Sequence, residues 1–344
     1  MPRGKVAGRK ANGLDTLWRA SLDDYVNDLA WSSDGRTVAA ADVAEPISIL
    51  EADTGEVLKR LSGHGFGTTS LSWNTRGVLA SAGQDGKVRL WDVNSGEGKE
   101  LDGGSQWVEK VAFSPDGKHL VSSAAKKIRM WKRSGELLWE SEDHQSTVSD
   151  VEWKPGSARD LATSAYGGVS LWKPGSPKPA RKFEWQGSTL KISWSPNGKY
   201  IATGDQDSTV HFWIVSHGMD LQMFGYATKV RELAWDAHSR YLATGGAEAV
   251  TVWDCGGKGP EGSRPLSLEA HTEFVSTLSY QRRGNLLLSG GGDGLAVLWE
   301  PGRTESPLAV TTLGSAISTL TFSPDDKRAA VGSDDGSVWM MGIS

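Results

Sequence analysis

Apolar and polar residues alternate with a period of two along most of the chain, in short runs such as VEKVAF (108–113) and TVSDVEW (147–153). That period predicts strands with one buried face and excludes helical solenoids. Turn residues separate the runs. Asp-Gly or Asn-Gly stands in SSDGR, SPDGK and SPNGK, where the chain reaches positive φ at little cost, so neighbouring strands are expected to pair as hairpins.

The ten residues GQDGKVRLWD at 83–92 recur in variant form as GGDGLAVLWE (291–300), GDQDSTVHFW (204–213) and SDDGSVWMM (333–341). A catalytic motif is needed once, so a motif that recurs at regular distance reads as architecture. The aromatic that ends each first strand falls at Trp31, Trp73, Phe113, Trp153, Trp194, Trp235, Tyr280 and Phe322, with spacings of 42, 40, 40, 41, 41, 45 and 42. A period of this length with several short strands per unit is the signature of a β-propeller. In unit two, TTSLSW is strand a, VLASA strand b and VRLWDV strand c, and a weaker strand d follows the NSGE turn.

The units resemble the WD40 repeat family across nearly the whole chain. The resemblance rests on LWD at 90–92, VWD at 252–254, the Gly63-His64 pair and the Ser-x-x-x-Asp spacing before the tryptophan. Units ending in Trp-Lys or Trp-Ile (131–132, 172–173, 213–214), and Leu50-Glu51 in unit one, depart from it. The resemblance implies two buried tetrads, His64, Ser81, Asp85 and Trp91 in one unit and His271, Ser289, Asp293 and Trp299 in another. Their Ser-His-Asp content also suggests a hydrolase, but the trio recurs and each copy has a tryptophan placed to occupy the hydroxyl.

The last unit stops after its third strand, and LDTLWRASLDD (14–24) resembles the segment that precedes other units. The reading is therefore an all-β, eight-bladed WD40-type propeller of thirty-two strands in four-stranded blades, with seven blades as second choice. An N-terminal strand would complete the last blade, residues 1–13 would form a flexible tail, and 14–344 a single domain.

Composition adds limits. The formal charge of −5 gives no overall attraction for nucleic acid or an anionic membrane, and the basic start MPRGKVAGRK has no apolar run after it. A single cysteine, Cys255, excludes an intramolecular disulfide framework, so the expected compartment is the cytoplasm. Cys255 opens the Gly/Pro-rich loop CGGKGPEGSR with no second strong metal ligand nearby. His119, His211, His217 and His238 lie in different units without ligand spacing and are expected at the surface or partly packed.

The resemblance places function on the face where the chain enters strand a. Tyr25, Trp107 and Phe274, with Lys229, Arg231 and Glu109, hold positions that other units mostly give to small residues. Aromatics and a Lys/Arg pair make a protein-binding patch. The three aromatics are far apart in ring order, which argues against a cage for a modified tail. An alternative is a propeller enzyme, such as a metal-dependent hydrolase or lactonase using the central channel. Glu109 is the one carboxylate at the inner positions considered, so the residues favour a monomeric, non-catalytic platform for a protein or peptide, without cofactor or metal.

Overall fold

The computed structural model describes residues 13–44, 46–104, 107–257 and 259–344. Residues 1–12 of the expected tail lie outside them. The described chain forms thirty strands, which pair antiparallel within their sheets, the first with the last and the others with sequence neighbours. In unit two, Thr68–Trp73, Val78–Gly83, Lys87–Asp92 and Gly98–Asp102 run from the centre outwards, with Leu71 opposite Ser81 and Ser81 opposite Arg89. Strand b is almost wholly buried and strand d mostly exposed. The inner strands read as continuous apolar runs because neighbouring sheets cover both their faces.

Counted as hydrogen-bonded sheets, the propeller has seven blades, the second choice of the sequence reading, rather than eight. Six have four strands and one has six. The difference lies in units four and five, where two long strands each do the work of two. Leu161–Trp172 pairs backwards through Leu161–Ser164 and forwards through Tyr166–Leu171. Arg181–Trp194 pairs backwards through Arg181–Ser188 and forwards through Thr189–Trp194. The chain stays extended through 184–190 as one strand, and thirty strands replace the expected thirty-two.

Apolar side chains fill the gaps between consecutive units in eight buried clusters. One joins Leu320-bearing unit eight to unit seven, and another joins Ala330, Val338 and Met340 to Val26, Trp31 and Leu50 of unit one, which closes the ring. Closure also rests on strand pairing. Leu14–Ser21 is strand d of the last unit, with Leu14 opposite Ile343 and Ser21 opposite Ser337. The Trp18 indole donates to the Ala52 carbonyl at 3.0 Å.

Strand a is the inner edge of each sheet and has a row of backbone groups without a partner in its own sheet. The neighbouring unit supplies the partners. Indoles of Trp31, Trp73, Trp153, Trp194 and Trp235 donate to carbonyls of Thr321, Ala30, Ala112, Glu152 and Ser193 in the preceding unit, at 3.0 to 3.3 Å. In six units the register of strand a shifts by one near its start, at Val26/Asp28, Thr68/Ser70, Val108/Lys110, Thr189/Lys191, Val275/Thr277 and Ile317/Thr319. The bulge frees one side chain to reach the next unit. Asn27 donates to Thr68 O at 2.7 Å, Thr69 to Val108 O at 2.5 Å and Ser318 to Val26 O at 2.6 Å.

Removing residues 1–21 should leave Ser337–Ile343 as an open edge. Amide exchange over that strand is then expected to rise to the rate of an outer strand d, with a lowered unfolding midpoint. Exchange equal to that of the full chain would show that the closing strand contributes nothing.

Candidate functional site

Both tetrads form one polarised chain of hydrogen bonds. Trp91 Nε1 donates to Ser81 Oγ at 2.9 Å, Ser81 Oγ lies 2.8 Å from His64 Nε2, and His64 Nδ1 lies 2.8 Å from Asp85 Oδ1. In the second, Trp299, Ser289, His271 and Asp293 follow at 2.8, 2.8 and 3.1 Å. A single tautomer, with the proton on Nδ1, satisfies every step. Burial alone would raise Asp85, but the His64 imidazole and the Arg89 guanidinium hold it below the usual carboxylate range. The order Asp-His-Ser is that of an acyl-transfer triad. Ser81 and Ser289 are fully buried, however, and each hydroxyl oxygen accepts an indole proton, so the arrangement holds a blade together.

Other units vary the same position, nine residues before the aromatic of strand a (73 − 64, 153 − 144, 280 − 271). His144 occupies it in unit four, with Nε2 3.1 Å from Thr163 Oγ1, Trp172 donating to that hydroxyl at 2.9 Å, and the Lys126 carbonyl replacing the aspartate at 2.8 Å from Nδ1. Burial lowers the His144 pKa, which suits a neutral ring. Tyr226 takes the place in unit six, where Trp253 donates to its hydroxyl at 2.7 Å. In unit five the residue is Trp185, and Trp185 Nε1, Trp213 Nε1, His211 Nε2 and Asp205 Oδ1 are buried without hydrogen-bond partners among the described residues. His211, expected at the surface or partly packed, is fully buried against Trp185 at 4.1 Å, with Nδ1 2.9 Å from Asp220.

The channel is more charged than the sequence reading allowed. Glu109 is not its only carboxylate, because residues one and three places further along strand a carry charge as well. Asp28, Asp150, Glu152 and Glu232 join it, with Lys110 and Lys191. Lys191 Nζ lies 2.9 Å from Asp150, and that carboxylate raises the lysine pKa. Burial pushes Glu152 up to about 8 and Glu232 up to about 7. The carboxylates also accept backbone N–H groups of the next unit: Leu71 to Asp28 at 2.7 Å, Ile192 to Asp150 at 3.2 Å and Trp194 to Glu152 at 2.9 Å. No group of three or more His, Cys, Asp or Glu among the described residues is placed to hold a metal ion.

On the strand-a face, Tyr25, Trp107, Lys229, Arg231 and Phe274 are exposed and Glu109 is half-buried. Tyr25 and Phe274, read from the sequence as far apart in ring order, line one pocket instead, because units one and seven flank unit eight across the closure. Trp107, Lys229 and Arg231 do not line it. Cys255 is buried, its thiol is pushed up in pKa by burial, and it packs beside Phe212 and Met223.

Asp85→Ala and Asp293→Ala should each lower stability by about 1–3 kcal/mol, since each strands a buried imidazole. Asp207→Ala, in the unit with Trp185 at the histidine place, is the control, and thermal melts compare the three. Midpoints equal to the parent's for the first two would contradict the role assigned to the tetrads. Glu152 carries the opposite sign. Because its folded pKa is raised, the folded chain keeps a proton that the unfolded chain releases, and stability falls as pH rises from 4.5 to about 8. Glu152→Gln is expected to raise the unfolding midpoint at the upper end of that window and leave it nearly unchanged at the lower end.

Comparison with known proteins agrees with this geometry. The family model for "WD domain, G-beta repeat" matches residues 55–92, 97–132, 178–213, 262–300 and 308–340, more than half of the chain. The chain is 34% identical over 121 residues to a "Ribosome biogenesis protein WDR12 homolog" of Nematostella vectensis, covering 34% of this chain and 29% of that protein. It is 28% identical over 167 residues to "Nuclear distribution protein PAC1-1" of Uncinocarpus reesii (strain UAMH 1704), covering 41% and 37%. The alignments thus span about a third of these relatives' lengths. The crystal structure of the computationally designed Ika8 protein superposes with a TM-score of 0.81 at 24% identity, covering 94% of this chain and 98% of that one, which shows the shared fold. With its repeats matched and its buried tetrads formed in phase, the chain belongs to the WD40 (WD domain, G-beta repeat) family.

Proposed function

We propose that the chain is a non-catalytic platform that binds a protein or peptide through the face where strands a begin. The observation that carries this reading is the exposure there of aromatic rings that the blade pattern does not require. Trp107 is 53% exposed, Phe274 55% and Phe66 82%. Two residues on from the place of Trp107 and Phe274, the units use Asn27, Thr69, Ser276 and Ser318 to bridge the ring. Rings on a rigid frame are suited to act as anchors, since little order is lost when they bind. The names of the relatives point to ribosome biogenesis or nuclear distribution, without choosing between them.

The channel cluster supports a second reading, an acid/base hydrolase using Glu152 and Glu232, whose raised pKa values suit proton transfer near neutrality. Their engagement of strand-a backbone, or of a neighbour's, favours the platform instead.

The double variant Trp107→Ala/Arg231→Ala should weaken a partner captured from the native cell roughly a hundredfold or more, while the unfolding midpoint stays that of the parent. A partner that binds this variant as tightly as the parent, or that contacts only the face bearing the 255–264 loop, would place function on the opposite side. Ester or lactone hydrolysis that is lost in Glu152→Gln would favour the enzyme.

A further inference from the structure

Phe274 stands between two pockets. One, of about 450 Å³, has Ala247 and Ala249 in its wall and Glu248 and Glu269 beside them. The other, of about 360 Å³, sets Tyr25 and Ile317 against Glu273 and Asp334. The walls are largely apolar, and the four acidic residues named are the only Asp, Glu, Lys or Arg lining them. None of these four forms an ion pair among the described residues, so the patch gathers negative charge that the fold itself does not neutralise. Lys229 and Arg231, on the same face, line neither pocket.

The floor is fixed. Ser276 Oγ donates to the Ile317 carbonyl, and Ser318 Oγ to Val26 O at 2.6 Å. Gly292 N donates to Phe274 O, and Asp334 N to Ala316 O, both at 3.0 Å. The pockets and the ring between them therefore need no reordering to receive a ligand.

Resting on the reading that this face docks a protein, we propose that the two pockets take a basic segment of the partner, with an apolar residue packed on Phe274 and a lysine or arginine in each pocket. Apolar contact supplies the anchor, and charge complementarity selects the partner. The acidic pockets and the Lys229/Arg231 cations then divide the face, so that a full partner also engages Trp107 while the basic segment does not.

The test is fluorescence anisotropy of the full chain with labelled synthetic peptides, one with arginines flanking a leucine and one with glutamates in their place. The arginine peptide is expected to bind, more weakly as salt rises. Its affinity should drop roughly tenfold or more in Glu273→Gln/Asp334→Asn and in Phe274→Ala, with unchanged unfolding midpoints, and should stay that of the parent in Trp107→Ala/Arg231→Ala. Binding of the glutamate peptide that is lost in Trp107→Ala/Arg231→Ala would overturn the basic partner and leave the face. Arginine-peptide affinity indifferent to the Glu273 and Asp334 changes would overturn the pocket assignment. If only a chain lacking residues 1–12 bound the arginine peptide, the basic start of this chain would be the occupant, and the proposal of an external partner would fall. Failure of every peptide, with a captured partner mapped to the opposite face, would sink both readings.

Discussion

An innermost strand with an open edge is the constraint to which the rest of this ring answers. Each sheet presents to the channel backbone groups that its own strands leave unpaired, and a buried unpaired group costs about 1–3 kcal/mol. The solution is to borrow partners from the next unit: an indole towards one carbonyl, a bulged hydroxyl towards another, a carboxylate for an N–H. Each unit thus completes its neighbour. Stability becomes a property of the closed circle, as expected where repeats contact only their neighbours.

The same constraint explains which parts of the structure were legible in the sequence. The aromatic period could be read because Trp31, Trp73 and their counterparts serve both the core and the bridge, so substitution at that place is costly. The closing strand could be read because the last unit was visibly short. The channel carboxylates could not. Two positions per unit at the start of strand a stop one residue short of Asp28, Asp150, Lys191 and Glu232 and three short of Glu152, and at Asp28 and Lys191 the register also shifts. His144 was overlooked for a different reason, since its unit lacks the aspartate that marks the other two. Its distance from Trp153 was the available signal.

Units four and five depart from the sheet pattern of the others. Between Glu184 and Leu190 the backbone continues as strand, so the chain passes straight from one unit into the next, and two expected sheets become one. The histidine place there holds Trp185, and the hydrogen-bonded chain found in unit two has no equivalent, which leaves the indole of Trp213 without the hydroxyl that Trp91 enjoys. Backbone continuity and loss of the polar network coincide in the same place. A longer strand replaces side-chain bonds with ladder bonds, and the fold tolerates the exchange.

The pairing of Leu14–Ser21 with Ser337–Ile343 also sets an order in time. Among the described strands, Leu14–Ser21 is made first yet is among the last to find its partner, because that partner is encoded in the ring's final unit. Until then the edge of the opening segment stays unsatisfied and Val26 and Trp31 lack the side chains of the final unit that cover them. Synthesis must therefore carry a nearly complete, open arc with an adhesive end at each side. The nascent ring is most exposed to mispairing with a second copy of itself just before Ser337–Ile343 appears.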